Sequence, residues 1–229
     1  MESQLTPIAA VVRSDLITQD GVTKFSPNRR FATIYSEGSP ADTIFFLDAG
    51  LVKLYKRGED NKEIILQIVS AGELFGEQAL AGEQSRSIAA EVLLEGIIYV
   101  IPCDLFLRVC ERRPELWREI SGFLAMRKRQ LEKKVELLCL RDVEYRILYY
   151  MAELARSFGI RANGAEYSIP LSQGELASLI GATRETTSTT LNALARRGVI
   201  RLGRRQLIVP SIEAVLAAAN HQTQAAKVS

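Results

Sequence analysis

The sequence changes character at Pro102, and this change limits the chain to a fold whose first half is built from strands and whose second half is mainly helical. Before Pro102, glycines recur at short intervals between stretches rich in β-branched and aromatic residues, which is typical of strands joined by turns. The stretch 103–158, by contrast, contains one glycine and shows the apolar spacing of helices. The first half has no strand–helix–strand unit, so we do not expect a parallel sheet there.

The clearest strands are expected at residues 43–56 and 62–69, on either side of the sequence RGEDN at 57–61. Polar turn-forming residues between two apolar stretches predict a β-hairpin. The glycines at positions 38, 50, 58, 72, 76, 82 and 96 punctuate the rest of this half. The pattern predicts a closed or double-layered β structure.

A long helix is expected after Pro114, because proline suits the first turn of a helix. Within it Leu124, Leu131 and Leu138 recur every seven residues, with Lys128 and Val135 between them. This spacing indicates an apolar seam of about two heptads, which pairs with a second copy of the helix in a coiled-coil dimer. A seam this short is equally consistent with a helix that packs on its own β domain, and the sequence leaves both interpretations open.

The composition argues against several classes of function. The three cysteines at 103, 110 and 139 lack metal-ligand spacing, and the single histidine lies at 221, so a metal site and a Ser-His-Asp triad both lack residues. We therefore expect no metal, no cofactor of this kind and no enzyme. The apolar stretch 92–102 is too short to span a bilayer, and no secretory pattern opens the sequence, so a cytoplasmic protein without a membrane segment is expected.

The last third predicts a winged helix-turn-helix, with a helix over 143–157, a loop over 159–170, two short helices and a final two-stranded hairpin. Ser172 and Glu175 have the spacing of a capping box, which predicts a helix start at Ser172. Gly181 supplies a sharp turn, and Thr183 is a suitable N-cap for the next helix.

That second helix carries a polar face at its N-terminal end. Its solvent side is expected to present Arg184, Glu185, Ser188, Thr189 and Asn192. Arginine can donate two hydrogen bonds to guanine and glutamate can accept one from cytosine, so Arg184 and Glu185 predict the reading of a G·C pair. The hydroxyl groups of Ser188, Thr189 and Thr190 are expected to reach phosphates, bases or a thymine methyl group.

The charge of this segment supports DNA binding. From 184 to 205 six arginines face one acid, a local charge of 6 − 1 = +5, whereas the whole chain carries +2. The alternative is a solvated charged face that serves solubility.

Taken together, the segments "SEGSPADTIFFLDAGLVKLYK", "GELFGEQALAGEQSRSIAAEV" and "LSQGELASLIGATRETTSTTLNAL" resemble the cyclic-AMP receptor protein/fumarate-nitrate reductase regulator (Crp/Fnr) family of bacterial transcription factors. The resemblance extends from about Phe25 to Val209. It implies an α+β fold with an N-terminal double-stranded β-roll, the jelly roll that binds cyclic nucleotides, followed by a long dimerisation helix and a C-terminal winged helix-turn-helix. The corresponding domains are expected at 1–113, 114–141 and 142–229.

The resemblance also implies where an effector would bind. Gly76 and Glu77, with Arg86 and Ser87, match the positions that hold the ribose and the cyclic phosphate in members that bind cyclic nucleotides. The positions that contact adenine in the cyclic-AMP receptor correspond to Leu131 and Glu132, where a leucine cannot form the hydrogen bond that specifies the base. The effector is therefore expected to be a cyclic nucleotide, cyclic AMP or cyclic GMP, with its identity open. The alternative is a structural loop in which Arg86 pairs with a carboxylate such as Glu77.

For DNA the resemblance places a second base-reading arginine of the family at Thr189, so looser reading is expected there. The expected DNA-binding residues are Gln173, Thr183, Arg184, Glu185, Ser188, Thr189, Arg201 and Arg204. The predicted protein is a homodimeric transcription regulator that binds a palindromic operator in double-stranded DNA, with RNA polymerase as a further partner that the family admits. The alternatives are an effector-independent regulator of the same fold and a cyclic-nucleotide-binding module that acts on a protein partner.

Overall fold

The structure, a computed structural model, describes residues 7–162 and 166–225. Two compact units are present: residues 1–56 with 66–131, and residues 57–65 with 132–229. Residues 57–65, at the tip of a β-hairpin, thus belong to the same unit as residues 132–229. No helix in the described part of the chain is long and apolar enough to cross a membrane.

The described part of the first unit begins with a helical segment that the sequence did not predict. Helix α1 (Pro7–Val11) continues into a π-helical turn (Val12–Leu16). Ile8, Val12 and Leu16 are buried in an apolar cluster that also contains Phe106. The segment was missed because ten residues show too few helical periods, and tertiary packing rather than propensity stabilises such a short helix.

The β-roll contains six strands. They are β1 (Thr23–Phe25), β2 (Thr33–Tyr35), β3 (Thr43–Arg57), β4 (Glu63–Ser70), β5 (Glu73–Phe75) and β6 (Ala89–Pro102). The sheet has the order β1-β6-β3-β4, while β2 pairs with β6 and β5 pairs with β3. The hairpin predicted around residues 57–61 is confirmed as the connection from β3 to β4.

The roll contains an aromatic and aliphatic core. Phe45 and Phe75 face each other across β3 and β5 with ring centroids 5.0 Å apart, and Tyr35 packs against Phe45 at 5.3 Å. Val52 and Val92 belong to the same buried cluster. A 3-10 helix (Glu77–Ala81) lies between β5 and β6, so the loop 76–88 begins and ends on strands of one sheet.

The helical connection follows β6 directly. Helix α2 (Cys103–Arg112) is short, and α3 (Glu115–Leu140) is the long helix that the sequence predicts after Pro114. The exposed apolar residues of α3 are Trp117, Leu124, Met126, Leu131, Val135 and Leu140. Arg127, Lys134 and Leu137 are buried instead. Within the chain itself, therefore, α3 has one packed face and one apolar face in contact with solvent.

The second unit contains the winged helix-turn-helix. Its helices are α4 (Val143–Phe158), α5 (Gln173–Ile180), α6 (Arg184–Arg196) and α7 (Ile212–Ala225). Its strands are β7 (Ile160–Ala162), β8 (Glu166–Ile169), β9 (Arg201–Gly203) and β10 (Gln206–Val209), in the order β7-β8-β10-β9.

One expectation for this unit was wrong. The stretch 159–170 was expected to be a loop, but it contains β7 and β8, because β8 pairs with the distant strand β10. Helix α7 extends through position 221 and packs on α4. Ser211 begins α7 by accepting a hydrogen bond from the amide of Ala214, at 3.1 Å.

Candidate functional site

The loop after β5 brings together the four residues that the sequence analysis assigned to ribose and phosphate. Gly76 adopts a φ of 81°, in the left-handed region that favours glycine, and precedes the 3-10 helix that begins at Glu77. A Cβ atom at position 76 would lie 3.0 Å from Nη1 of Arg86 and 3.0 Å from Cδ2 of Phe45. The glycine is thus required both by its backbone conformation and by the close approach of the guanidinium group.

Arg86 lies inside the roll and is only 1% exposed. Its Nη1 donates to the carbonyl oxygen of Gly76 at 2.8 Å, and its Nη2 donates to the carbonyl and the hydroxyl oxygen of Thr43. The guanidinium carbon lies 4.7 Å from the centroid of the Tyr35 ring and 5.5 Å from that of Phe45. Burial lowers the pKa of Arg86 from its usual value, and the charges of neighbouring groups, Glu77 among them, oppose this effect.

The contacts of Arg86 differ from those expected if the loop were only structural. That alternative paired Arg86 with a carboxylate such as Glu77, whereas its hydrogen bonds are to Gly76 and Thr43. Its Nε is buried and has no hydrogen-bond partner among the described residues. A buried cation with an unused donor can bind an anion if its side chain turns toward one.

Ser87 is exposed and bonded to a residue that the sequence analysis did not single out. The side-chain amide of Gln78 donates to the Ser87 hydroxyl oxygen, and its oxygen accepts from the Ser87 amide at 3.4 Å. Lys56 donates to the Ser87 carbonyl oxygen at 3.4 Å and pairs with Glu37 at 3.0 Å. A ligand that uses the hydroxyl and the amide of Ser87 would therefore replace Gln78.

A second buried cation belongs to this site and was also missed. Arg127 of α3 is 5% exposed and donates from Nη2 to the Leu74 carbonyl oxygen at 2.8 Å, with Glu73 at 3.3 Å. Its Nε and Nη1 are buried without a hydrogen-bond partner among the described residues. Burial lowers the pKa of Arg127, and the nearby carboxylates of Glu73 and Glu77 oppose this effect. The guanidinium groups of Arg86 and Arg127 thus both have unused donors and both interact electrostatically with Glu77.

The two residues assigned to the base of the nucleotide are placed differently. Leu131 is 47% exposed, and Glu132 is also exposed, on the part of α3 that follows Arg127. Leu131 is therefore part of the exposed apolar face of α3, which the structure shows as a surface and not as a pocket.

The two helices of the helix-turn-helix begin as predicted. Ser172 and Glu175 form a complete capping box: the amide of Ser172 donates to the Glu175 carboxylate at 2.6 Å, and the amide of Glu175 donates to the Ser172 hydroxyl at 3.2 Å. The hydroxyl of Thr183 caps α6 by accepting from the amide of Thr186 at 3.1 Å. The side-chain oxygen of Thr183, one of the expected DNA contacts, is thus used within the helix.

The threonines of α6 have mainly internal partners. Thr187 is fully buried and its hydroxyl donates to the Thr183 carbonyl oxygen at 2.8 Å, while the Thr190 hydroxyl donates to the Thr186 carbonyl oxygen at 2.8 Å. The hydroxyl hydrogen of Thr190, which was expected to be offered to a ligand, is therefore already used within α6. Thr189 and Ser188 remain on the outer side, exposed and half-buried respectively.

The predicted DNA-facing surface of α6 is exposed. Arg184, Glu185, Thr189 and Asn192 all lie in contact with solvent. Gln173 is half-buried at the start of α5, and a Cβ atom on the adjacent Gly174 would lie 4.0 Å from Nε of Arg184. The start of α5 and the start of α6 therefore form one surface.

The charge on this surface is lower than the sequence count indicates. Arg197 pairs with Glu144 at 2.6 Å, and Arg201 pairs with Glu166. Two of the six arginines between 184 and 205 are thus partly neutralised by carboxylates from outside the segment. Arg184, Arg196 and the wing residues Arg204 and Arg205 remain exposed.

Comparison with known proteins identifies a family model for each half of the chain. Residues 28–113 match the family model described as a cyclic nucleotide-binding domain, and residues 145–218 match the Crp-like helix-turn-helix domain. The chain is 30% identical over 182 residues to the CRP-like cAMP-activated global transcriptional regulator of Mycobacterium tuberculosis, which covers 79% of this chain and 81% of the relative. It is 29% identical to the cyclic AMP receptor protein of Thermus thermophilus, with 74% and 76% covered.

Solved structures show the same fold. FixK2 from Bradyrhizobium japonicum superimposes with a TM-score of 0.75 at 23% identity and covers 86% of this chain and 96% of its own. A CRP/FNR-family transcriptional regulator from Thermus thermophilus has a TM-score of 0.73 at 24% identity, with 87% and 98% covered. The Mycobacterium tuberculosis relative is described as a transcriptional regulator. By the two family models and the Mycobacterium tuberculosis relative, the chain belongs to the Crp/Fnr family of DNA-binding transcription regulators, with an N-terminal effector-binding domain and a C-terminal Crp-like helix-turn-helix.

Proposed function

We propose that the protein is a homodimeric regulator whose affinity for a palindromic operator is controlled by a cyclic nucleotide bound in the β-roll. The observation that carries the proposal is the combination of two buried guanidinium groups beside Glu77 with an exposed Arg184/Glu185 surface on α6. The first suits an anionic ligand with hydroxyl groups. The second suits the major groove of DNA. Because its target is DNA, we expect it to act in the cytoplasm, with RNA polymerase as a further partner.

Dimer formation is proposed from the exposed face of α3. Trp117, Leu124 and Leu131 are 42%, 40% and 47% exposed, and they recur every seven residues along one helix. Val135, which is 59% exposed, lies four residues beyond Leu131. A stripe of large apolar side chains at this spacing is buried when two such helices pair. The pairing would set two α6 helices about 34 Å apart, one turn of DNA.

At the DNA, we propose separate roles for base-reading and phosphate-binding residues. Arg184 and Glu185 would contact a G·C pair in each half-site. Gln173, Ser188, Arg201 and Arg204 would hold phosphates, which fix the register of a protein on DNA without specifying the sequence. Since Arg201 pairs with Glu166, its contact with a phosphate requires it to exchange partners.

The Arg184→Ala variant tests the base-reading role. A duplex is first selected from a random-sequence library by the wild-type protein, and its affinity is then measured by fluorescence anisotropy. We expect the variant to lose about 1–3 kcal/mol of binding free energy and to tolerate substitutions at one position in each half-site. Arg108→Ala, which removes an exposed arginine of α2, is the matched control and should bind as the wild type does. Full discrimination by Arg184→Ala would show that another residue reads that base.

We propose a cyclic nucleotide as the effector because of the residues of the loop 76–87 and the names of two relatives. The Mycobacterium tuberculosis relative is described as cAMP-activated, and the Thermus thermophilus relative as a cyclic AMP receptor. In this chain Glu77 would accept hydrogen bonds from the ribose, while Arg86 and Ser87 would donate to the cyclic phosphate. Arg127 is placed to add a second positive charge.

The variant that tests the effector site is Glu77→Ala, because Arg86 also bonds Gly76 and Thr43 and its removal would disturb the roll. We expect isothermal titration of the wild type with cyclic AMP or cyclic GMP to show binding, and the variant to bind at least about tenfold more weakly with an unchanged melting temperature. Glu111→Ala, on the exposed side of α2, is the control. If the wild type and Glu77→Ala bound the nucleotide with equal affinity, Glu77 and its loop would not be part of the effector site.

An effector-independent regulator is the second candidate, and one observation favours it. In the structure the outer donors of Arg86 are occupied by Gly76 and Thr43, and the polar groups of Ser87 are occupied by Gln78. A loop in which most donors are bonded within the protein can persist without a ligand. The absence of heat with either nucleotide in the same titration would support this candidate.

A further inference from the structure

The end of α5 is held by two cations from neighbouring helices. The last carbonyl groups of a helix have no partner within it, and positive charges are favourable there. Nζ of Lys134, on α3, donates to the carbonyl oxygen of Leu179. Nη1 of Arg146, on α4, donates to the next carbonyl oxygen, that of Ile180, at 2.7 Å. Both bonds lie just before the turn that leads into α6.

The turn between α5 and α6 is also closely packed. Gly181 adopts a φ of 65°, and a Cβ atom added to it would lie 2.7 Å from Cδ2 of Leu138 on α3. The amides of Gly181 and Ala182 both donate to the carbonyl oxygen of Ala177. Because α6 begins at Arg184, directly after the turn, the direction of α6 depends on how this turn is held.

Lys134 has a second acceptor in the β-hairpin. Its Nζ also donates to the carbonyl oxygen of Ile65 at 2.8 Å, near the start of β4. Lys134 is 6% exposed, and its Nζ lies 5.5 Å from the centroid of the Tyr150 ring. One buried ammonium group therefore bonds the hairpin between β3 and β4 and the end of α5 at once.

Joining two elements through a buried ammonium group costs desolvation free energy. Burying a charge lowers stability unless its partners compensate, and well-packed apolar residues often replace such groups without loss. What an apolar residue cannot do is satisfy two carbonyl oxygens from different elements at a fixed distance. Lys134 is thus better suited to fixing an arrangement than to adding stability.

We propose that Lys134 is a positioning residue for DNA recognition, whose ammonium group couples the β3–β4 hairpin to the turn that orients α6. The inference rests on the proposed role of α6 as the recognition helix. Since β3 and β4 continue from the roll into the hairpin, a displacement of these strands on effector binding would act on α6 through this side chain. Such a coupling requires an element that can adopt two alternative arrangements. We assign this role to the tip of the β3–β4 hairpin.

The test compares three variants of the full-length protein. Lys134→Met removes the donors and keeps most of the volume, Lys134→Arg keeps a cation with several donors, and Lys133→Met is the matched control on the neighbouring, half-buried position. The probes are the duplex selected by the wild type and a scrambled duplex of equal length, both measured by fluorescence anisotropy. Hydrogen exchange of the hairpin amides (Gly58 and Asn61) and of the turn amides (Gly181 and Ala182) is measured in parallel.

We expect Lys134→Met to lose about tenfold in affinity for the selected duplex, with little change for the scrambled one, because nonspecific binding depends on charge and not on the direction of α6. Exchange should become faster in the hairpin and in the turn together. Lys134→Arg should recover most of the specific affinity, and Lys133→Met should behave as the wild type in every measurement.

Two results would overturn the proposal. One is an unchanged ratio of specific to nonspecific affinity in Lys134→Met. The other is a loss of melting temperature and of both affinities in parallel that Lys134→Arg does not recover, since this would mark Lys134 as purely structural. If the wild type binds no selected duplex, the proposed function fails. In that case the hydrogen-exchange measurement still tests whether Lys134 couples the hairpin to the turn. Faster exchange in only one of these two elements would refute the coupling.

Discussion

Replacing Gly96 with alanine is expected to destabilise the β-roll by roughly 3–5 kcal/mol, which is a severe loss for a single substitution. Gly96 lies on β6 opposite a part of β3 where the register shifts. A Cβ atom there would lie 1.9 Å from the carbonyl oxygen of Ala49 and 2.7 Å from the amide nitrogen of Gly50. Neither atom can move without breaking the pairing of the two strands. Denaturant unfolding of the purified variant, followed by tryptophan fluorescence and circular dichroism, measures the loss.

The control for this prediction is a glycine without neighbours. A Cβ atom on Gly122, which is exposed on α3, would meet nothing within 4 Å. Alanine is the better helix former by up to about 1 kcal/mol, so Gly122→Ala should be as stable as the wild type or slightly more stable. A Gly96→Ala protein with wild-type stability would mean that β3 and β6 do not approach each other as described.

The stability of the wild type relative to Lys134→Met is expected to rise between pH 8 and pH 10. Burial, with a smaller contribution from the positive charge of Arg146, lowers the pKa of Lys134 to about 8, while an unfolded lysine has a pKa of about 10.5. Above pH 8 the folded protein therefore releases a proton that the unfolded chain retains, and stability rises until the unfolded pKa is reached. The full difference is about 3 kcal/mol, most of which appears by pH 10.

The comparison with the variant is needed because other groups titrate at high pH. Burial raises the pKa of Tyr150, whose ring faces Lys134, and this lowers stability once unfolded tyrosines ionise. Tyr150 is present in both proteins, so the difference between their unfolding free energies at each pH isolates Lys134. A difference that stays constant from pH 7 to pH 10 would show that Lys134 is not buried as an ammonium group.

Much of the fold could be predicted from sequence because its strongest signals are local. The hairpin around 57–61, the long helix after Pro114 and the capping box at Ser172 each depend on residues within a few positions of one another. The elements that were missed depend on distant partners. Strand β8 is defined by its pairing with β10, and the N-terminal helix is stabilised by Phe106 and its neighbours, about ninety residues away.

The same contrast holds for the site. The exposed face of α6 follows from helical periodicity, and the structure confirms that Arg184 and Glu185 lie on it. The inward side chains of α3 did not follow from the sequence. Arg127 stands in the sequence RKRQ and Lys134 in EKKV, and each is next to another basic residue that is less buried. Which member of such a pair is buried is decided by carbonyl oxygens from other elements, such as those of Leu74 and Leu179.

The threonines of α6 show a further limit of sequence reasoning. A cluster of hydroxyl groups on an exposed helix indicates contact with a ligand, but hydroxyl groups also bond the carbonyl oxygens of their own helix. In α6 Thr187 and Thr190 do so, and Thr183 caps the helix. The sequence alone could not separate these internal partners from Thr189, which remains exposed.

In the proposed function the effector links the roll to the DNA-binding surface. This link is tested by measuring the affinity for the selected duplex with and without saturating cyclic AMP and then cyclic GMP. We therefore expect one of the two nucleotides to strengthen duplex binding, and the duplex to strengthen binding of that nucleotide by the same factor, since linkage between two sites is reciprocal. Duplex binding that is strong and unaffected by either nucleotide, even when the nucleotide is shown to be bound, would contradict the claim.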